Sequence, residues 1–320
     1  MTAVARLRDD ALINEDIRIV IPPSFKLASG ERLEDAFILA RLHGRRDAPV
    51  VAALGGISAG RRVGGDDGWW GEFAGPGAAI DTDRYAVLGF EFAPVANQRV
   101  RISPQDQARL IELALDELGI GRLHAFIGAS YGGMVGLALA ARAPERVARL
   151  CVISAADQPA ALGSAWRGVQ RRIVEFGLAH GDGEGGLSLA RQLAMTTYRS
   201  AQEFEERFAA GVGVEGRGGA DEYLIARGES YPLTMPPLRW LSLSEAIDRH
   251  AVDPARITTP TTVIGACSDQ LVPIAAIRAL AARLPRLVAL HEIPSIYGHD
   301  AFLKEADVIA PLLTQVLERK

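Results

Sequence analysis

The chain has 320 residues, of which 48% are hydrophobic and 23% are charged, and its formal net charge is -4. This composition is typical of a globular protein with one large α/β domain or two smaller ones. The mild acidity argues against a nucleic-acid partner, because phosphate recognition relies on clustered Lys and Arg.

The amino terminus and the cysteines predict a cytoplasmic protein with no membrane partner. Residues 1–20 are charged throughout and lack the apolar core and cleavage site of a secretory signal. No window of the sequence is apolar for long enough to span a bilayer. Cys151 and Cys267 lie in apolar, strand-like runs, where we expect buried small side chains rather than a disulfide or a zinc site.

The first half of the chain alternates between strand and helix patterns. We expect the first 45 residues to form an antiparallel entry. Short apolar runs then predict buried parallel strands at 48–56, 84–92, 123–129 and 149–155. The repeated alternation favours an α/β fold with a mostly parallel central sheet flanked by helices.

One helix between the second and third of these strands carries its own start and stop signals. Ser103 is the predicted N-cap, Pro104 the first helical residue and Asp106 the capping partner. Gly119 is the predicted stop.

The alternation pauses near Ala156 and resumes near Pro260. The later segments predict a strand, a helix, a strand and a final helix, at 261–266, 273–285, 287–293 and 299–320. Between them lie helix-like segments at 166–179 and 187–210, broken by glycine-rich stretches. We therefore predict a core of residues 1–156 and 251–320, with residues 157–250 as a helical lid over the carboxyl edge of the sheet.

A glycine motif in this insertion is a weak signal. Residues 211–216, GVGVEG, match G-x-G-x-x-G, but no strand pattern precedes them, as a dinucleotide site requires. A lid loop is the better interpretation.

The stretch from Gly128 to Gly132 matches G-x-S-x-G, after a predicted strand and before a predicted helix. This is the context of the nucleophile elbow of an α/β-hydrolase fold, which lifts the serine hydroxyl, here that of Ser130, above the sheet edge. The backbone N–H of Tyr131 would then face a developing oxyanion. A second donor is expected after the first buried strand, where we favour the N–H of Gly55, with Gly56 as the alternative.

Such a serine needs an acid and a histidine on later loops, in that order. His299 follows the predicted strand 287–293 and precedes the final helix, whereas its nearest rival, His291, lies within a strand pattern. Asp269 follows the strand 261–266 and would orient the imidazole, although an Asx-turn role is the alternative. The sequence therefore predicts Ser130, Asp269 and His299 as a catalytic triad.

Four segments together resemble the homoserine O-acyltransferases of the α/β-hydrolase fold, which include homoserine O-acetyltransferases and O-succinyltransferases. They are GWWGEFAGPGAAIDTDRYAVL, GASYGGMVGLALAARAPERVARLCVISAA, TTYRSAQEFEERF and YGHDAFL, at 68–88, 128–156, 196–208 and 297–303. The resemblance implies transfer of an acetyl or succinyl group from acyl-CoA to the hydroxyl of L-homoserine through an acyl-serine, early in methionine synthesis. It implies no metal and no cofactor besides the acyl-CoA co-substrate, and a homodimer built through the lid helices.

The resemblance also implies a substrate site. Arg199 would hold the amino-acid carboxylate, Asp300 its ammonium group, and Tyr223 would face homoserine. The alternatives are a surface ion pair for Arg199 and a helix N-cap for Asp300.

The chain also departs from the family pattern in its oxyanion loop, LGGISAGRR, and in a shorter loop after the second buried strand. Arg61 and Arg62 are candidates for a succinyl carboxylate or for coenzyme A phosphates, or are simply solvated. Trp69, Trp70 and Trp166 are candidates for the pocket lining or for the core. A serine hydrolase, or an acyltransferase for another hydroxyl amino acid such as serine, is the alternative function.

Overall fold

A computed structural model describes residues 12–209 and 218–319 of the chain. The glycine-rich segment 211–216 lies outside the described residues. The strands in chain order are β1 (Leu12–Val20), β2 (Phe37–Arg45), β3 (Val50–Leu54), β4 (Ala74–Gly75), β5 (Ile80–Asp81), β6 (Ala86–Phe90), β7 (Ala125–Ala129), β8 (Leu150–Ile153), β9 (Thr261–Ala266) and β10 (Leu287–Ile293).

The helices in chain order are α1 (Pro104–Glu117), α2 (Tyr131–Arg142), α3 (Ala161–Ala179), α4 (Gly183–Tyr198), α5 (Ala201–Phe208), α6 (Gly219–Glu229), α7 (Pro237–Asp248), α8 (Ile274–Arg283), α9 (Ala301–Lys304) and α10 (Ala306–Glu318). A single 3-10 turn, Gly298–Asp300, precedes α9.

The central sheet has the strand order β1-β2-β6-β3-β7-β8-β9-β10 within the described residues. Strands β3 and β6 to β10 run parallel, and β1 and β2 pair antiparallel at one edge. Every residue of β6, β7 and β8 is buried, because helices cover both faces of the sheet. The predicted antiparallel entry, the parallel strands and the fold class are confirmed, with strand bounds a few residues narrower than expected.

The capping prediction for α1 is confirmed atom by atom. The Ser103 hydroxyl accepts from the backbone N–H of Asp106, and the Asp106 carboxylate accepts from the backbone N–H of Ser103 at 3.2 Å. Gly119, just after the helix, has a φ of 68°, where a side chain would be strained.

Two segments that were each predicted as one long helix form two helices in the structure. The segment 187–210 breaks at Arg199, and the Ser200 side chain then caps α5 by accepting from the N–H of Glu203 at 3.1 Å. The final segment breaks at Glu305, which lies outside the helical region at φ -95° and ψ 53°. This break redirects the chain so that α10 packs its apolar residues, among them Ile309 and Leu313, against the sheet.

The two cysteines differ. Cys151 is buried in β8 as predicted, and burial raises the pKa of its thiol to about 12. The prediction of a buried Cys267 was wrong: β9 ends at Ala266, so Cys267 follows the strand and is exposed. Both thiols are free.

Helices α3 to α7 form an excursion between β8 and β9. Its two ends lie side by side, because His250 Nε2 contacts the carbonyl of Ala156 at 3.0 Å and the N–H of Val252 donates to the carbonyl of Asp157 at 3.0 Å. The lid boundaries at 157 and 250 stay a prediction. Over 12–209 and 218–319, no helix is long and apolar enough to cross a membrane, and the cytoplasmic location also stays a prediction.

Candidate active site

Ser130 lies in a strained turn between β7 and α2. Its φ of 53° and ψ of -122° fall in a region that non-glycine residues rarely adopt. The surrounding glycines are required sterically: a Cβ on Gly128 would lie 2.4 Å from the carbonyl oxygen of Gly132, and one on Gly132 would lie 2.2 Å from that of Leu54. The small residues therefore let the helix start close enough to the sheet to present the hydroxyl above its edge.

The predicted partners of Ser130 lie in one hydrogen-bonded chain with it. His299 Nε2 is 2.8 Å from Ser130 Oγ, and His299 Nδ1 is 2.7 Å from Asp269 Oδ2. These residues follow β7, β9 and β10, whose carboxyl ends meet at the same edge of the parallel sheet. His291, the rival candidate, lies within β10.

The hydrogen bonds assign the tautomer of His299. Asp269 Oδ1 accepts from the backbone N–H groups of Leu271 and Val272 at 2.8 and 3.0 Å, which holds the carboxylate as an acceptor. Nδ1 therefore carries the proton that it donates to Asp269, and Nε2 is free to accept from the Ser130 hydroxyl. The contact with Asp269 identifies that side chain as more than a local turn residue.

The electrostatics of His299 stabilise its protonated form more than water stabilises that of a free imidazole. Burial lowers the pKa of the imidazole, but the nearby carboxylates of Asp269 and Asp300 outweigh burial and leave the pKa above its ordinary value of 6.5. A proton taken from Ser130 would thus be held on a stabilised imidazolium.

The two loops that could supply oxyanion donors meet beside Ser130. Tyr131 is the first residue of α2, where a helical N–H has no partner within the helix. Gly56 lines the cavity, and a Cβ on it would lie 4.0 Å from Ser130 Oγ. Gly55 instead faces Ala59, and its carbonyl accepts from Gly132. The choice between the N–H groups of Gly55 and Gly56 as the second oxyanion donor stays a prediction.

A cavity of about 400 Å³ opens above Ser130, between the carboxyl edge of the sheet and the helices of the excursion. Several residues predicted for the site line it, namely Ser130, Tyr131, Arg199, His299, Asp300 and Trp69. Trp70 instead lies in the core, where its indole N–H donates to the carbonyl of Phe302 at 2.9 Å, and Trp166 packs against the core.

The break between α4 and α5 brings Arg199 into this cavity. The alternative of a surface ion pair does not hold, since Arg199 is only 6% exposed. Its Nε donates to the Tyr223 hydroxyl at 3.0 Å, and its Nη2 lies 3.5 Å from Asp300 Oδ2. Asp300 makes no side-chain cap to α9. Burial raises the pKa of Asp300, and Arg199 only partly offsets that effect.

Glu203 completes this cluster and was missed by the sequence analysis. It is 4% exposed, accepts a hydrogen bond from Arg199 Nη1 and lies 3.1 Å from Lys304 Nζ. The available signal was its position four residues after Arg199, a spacing at which helical side chains meet.

Arg61 and Arg62 do not line the cavity. Arg61 Nε donates to Asp16 Oδ1 at 2.8 Å, and Arg62 pairs with Asp67. Of the alternatives given for these two arginines, a contact with a succinyl carboxylate in the cavity does not fit their positions, because both guanidinium groups pair with carboxylates outside it.

The comparison with known proteins agrees with this geometry. Residues 64–306 match the α/β-hydrolase fold family. A homoserine O-succinyltransferase of Xanthomonas campestris is 40% identical over 285 residues, which cover 86% of this chain and 77% of that protein. The chain belongs to the homoserine O-acyltransferase family. A homoserine O-acetyltransferase of Leifsonia xyli, 34% identical over 82% of this chain and 77% of that protein, belongs to the same family.

Solved structures show the same fold. The structure of homoserine O-acetyltransferase from Bacillus anthracis has a TM-score of 0.84 at 18% identity and covers 96% of this chain and 98% of that one. An esterase structure has a TM-score of 0.84 at 19% identity, over 96% of this chain and all of that one. The homoserine O-acyltransferase family therefore shares its fold with hydrolases, and the predicted resemblance and fold are confirmed.

The described part of the chain, 12–209 and 218–319, offers no group of three or more His, Cys, Asp or Glu placed to hold a metal ion.

Proposed function

We propose that this family member transfers an acyl group from acyl-CoA to the side-chain hydroxyl of L-homoserine, an early step of methionine synthesis. The observation that carries the proposal is the hydrogen-bonded chain from Asp269 through His299 to Ser130, at a cavity whose wall also presents Arg199 and Asp300. The relatives named above include both homoserine O-succinyltransferase and homoserine O-acetyltransferase, so the names favour homoserine as acceptor.

The first half of the reaction forms an acyl-serine. His299 Nε2 takes the hydroxyl proton as Ser130 Oγ attacks the thioester carbonyl, and Asp269 stabilises the imidazolium. The N–H of Tyr131 donates to the oxyanion together with that of Gly55, or of Gly56 as the alternative. Collapse of the tetrahedral intermediate breaks the carbon–sulfur bond, and His299 returns its proton to the departing coenzyme A thiolate.

The second half transfers the acyl group to homoserine. Arg199 donates to the carboxylate of the amino acid and Asp300 accepts from its ammonium group, which places the side-chain hydroxyl near the acyl carbon. His299 then takes the hydroxyl proton as the oxygen attacks the acyl carbon, and it returns that proton to Ser130 Oγ when the bond between the acyl carbon and Oγ breaks. Water competes at this step, so the helices over the cavity must limit its access.

The experiment that tests this function measures thiol release from acetyl-CoA and succinyl-CoA, each with and without L-homoserine, and identifies the product by mass. We expect homoserine-dependent release and an O-acyl-homoserine product. Thiol release at the same rate without homoserine would indicate a hydrolase. In a parallel reaction with L-serine in place of L-homoserine, release stimulated by L-serine alone would indicate a different acceptor.

Replacement of Arg199 by alanine is expected to raise the homoserine KM about 10- to 100-fold, because charge-assisted hydrogen bonds to the carboxylate are lost. Steady-state kinetics in homoserine at saturating acyl-CoA measure the effect. Labelling of Ser130 by an organophosphonate reports whether the site remains folded. The control is Arg172→Ala, at an exposed position of α3; an unchanged homoserine KM in Arg199→Ala would remove Arg199 from the substrate site.

We also propose that the protein is a homodimer built through the excursion helices. Leu162, Val169 and Phe176 recur every seventh residue along α3 and are 56%, 41% and 67% exposed, which places an apolar stripe on the outside of the protomer. Light scattering should give twice the chain mass of 34.2 kDa, and a monomer mass at micromolar concentration would contradict the dimer.

A further inference from the structure

The wall of the cavity above Ser130 carries more cationic side chains than carboxylates. Within the described residues, its only carboxylate is Asp300. Its cationic side chains are Arg167, Arg191, Arg199, Arg227 and Lys304. This excess of positive charge exceeds what a zwitterionic amino acid requires, since homoserine carries no net charge.

Three of these cations already have partners inside the protein. Arg167 donates to Asp248 at 2.6 and 2.9 Å, Lys304 lies 3.1 Å from Glu203, and Arg199 is bound as described above. Arg191 and Arg227 differ. Neither guanidinium has a hydrogen-bond or ion-pair partner within 12–209 and 218–319.

Aromatic rings hold Arg191 in place without using its donors. Its Cζ lies 4.6 Å from the ring centroid of Tyr231 and 5.3 Å from that of Tyr198. Tyr231 is itself fixed, because its hydroxyl is 2.7 Å from the Ser58 hydroxyl in the loop after β3. Stacking uses the faces of the guanidinium and leaves its N–H edge free for an anion.

Arg191 and His299 contact the same aromatic ring, that of Tyr198. The rings of Tyr198 and His299 are 5.9 Å apart between centroids. Arg227 approaches from the adjoining helix: α4 and α6 pack so tightly that a Cβ on Gly228 would lie 2.7 Å from Gln192 Cγ. Arg191 directly precedes Gln192 and Arg227 directly precedes Gly228, so the close contact between the two helices lies next to both arginines.

We propose that Arg191 and Arg227 form a subsite for the free carboxylate of a dicarboxylic acyl group, so that the acyl donor is succinyl-CoA. The inference rests on the proposed function. Three C–C bonds of about 1.5 Å each separate the two carboxyl carbons of a succinyl group, so its charge extends from the acyl carbon on Ser130 into the cavity that Arg191 and Arg227 line. An acetyl group has no charge and would leave both guanidinium groups unpaired.

The wild-type protein tests this directly with three donors. Butyryl-CoA has the same four-carbon acyl chain as succinyl-CoA, with a methyl group in place of the carboxylate. At saturating homoserine, we expect kcat/KM for succinyl-CoA to exceed those for butyryl-CoA and acetyl-CoA by about 10-fold or more, as expected for a charge-assisted hydrogen bond. Equal or better use of acetyl-CoA or butyryl-CoA would overturn the subsite and leave the transferase function intact.

The variants Arg191→Met and Arg227→Met test whether these two side chains cause the preference for succinyl-CoA. Each should lower kcat/KM for succinyl-CoA about 10-fold relative to butyryl-CoA, with the homoserine KM unchanged. Organophosphonate labelling of Ser130 reports folding, and Arg122→Met, at an exposed loop position, is the control.

Two results with the variants would overturn the assignment. Equal losses with every donor would place coenzyme A phosphates at these arginines, and a raised homoserine KM would place the amino-acid carboxylate there. Failure of the proposed function is distinguishable from both, because no donor would then give homoserine-dependent transfer in the wild type.

Discussion

Replacement of Ser130 by alanine is expected to lower the rate of acyl transfer about 10⁶-fold, the loss seen when the nucleophile of a serine triad is removed. Without Oγ, no acyl-enzyme forms, and homoserine would have to attack the thioester directly. Alanine meets the same backbone strain at φ 53° as serine does, so the change leaves the turn as it is.

Thiol release with homoserine measures the loss, and intact-protein mass spectrometry after mixing with acyl-CoA should show an acylated wild type and an unmodified variant. Ser29→Ala, an exposed position far along the chain from the motif, is the matched control and should retain wild-type activity. Turnover above about one per cent of wild type in Ser130→Ala would contradict a nucleophilic role.

The Asp269→Asn variant is expected to lose about 10⁴-fold in kcat, because an amide in place of the carboxylate allows the wrong tautomer of the histidine. Asparagine keeps an oxygen that can accept from the N–H groups of Leu271 and Val272, so the loop geometry should persist. The amide can donate to Nδ1 of His299, which would then place the imidazole proton on Nε2 and block acceptance from Ser130.

The same variant should change the pH profile in a defined direction. His299 must be neutral to act as a base, so wild-type kcat/KM should rise with pH through the raised pKa of His299, above 6.5. Because burial lowers that pKa and the Asp269 carboxylate raises it, the residual activity of Asp269→Asn should rise at lower pH than in the wild type. Asp47→Asn, at an exposed position, should leave the profile unchanged. If the activity of Asp269→Asn rose over the same pH range as that of the wild type, Asp269 would not set the pKa of the His299 imidazole.

Local patterns predicted a large part of this protein. The capping box at Ser103 and Asp106 and the elbow around Ser130 each depend on residues within a few positions of one another, so their geometry is encoded in short stretches. The expected chain order of serine, acid and histidine also selected three residues that are far apart in the sequence and hydrogen-bonded to one another in the structure. This works because parallel strands present the loops that follow them at one edge of the sheet.

The composition of the substrate wall required the tertiary structure. The stop in the helix at Arg199, the burial of Glu203 and the placement of Arg191 between two tyrosine rings follow from how the excursion helices pack on one another and on the loops. A helical sequence specifies which side chains share a face, whereas the partner of that face depends on contacts distant in sequence.

The arginines also show what the sequence predicts and what depends on the tertiary structure. Sequence alone identified the fold, the elbow, the predicted triad and the family, and it also drew attention to Arg61 and Arg62 because they follow the oxyanion loop. Only the tertiary structure showed that carboxylates pair with those two, and that Arg191 and Arg227 line the cavity without an ion-pair partner among residues 12–209 and 218–319. The sequence gives the sign of each charge. Which charges pair depends on distances of a few ångströms between segments that are far apart in the chain, and these distances are set by the tertiary structure.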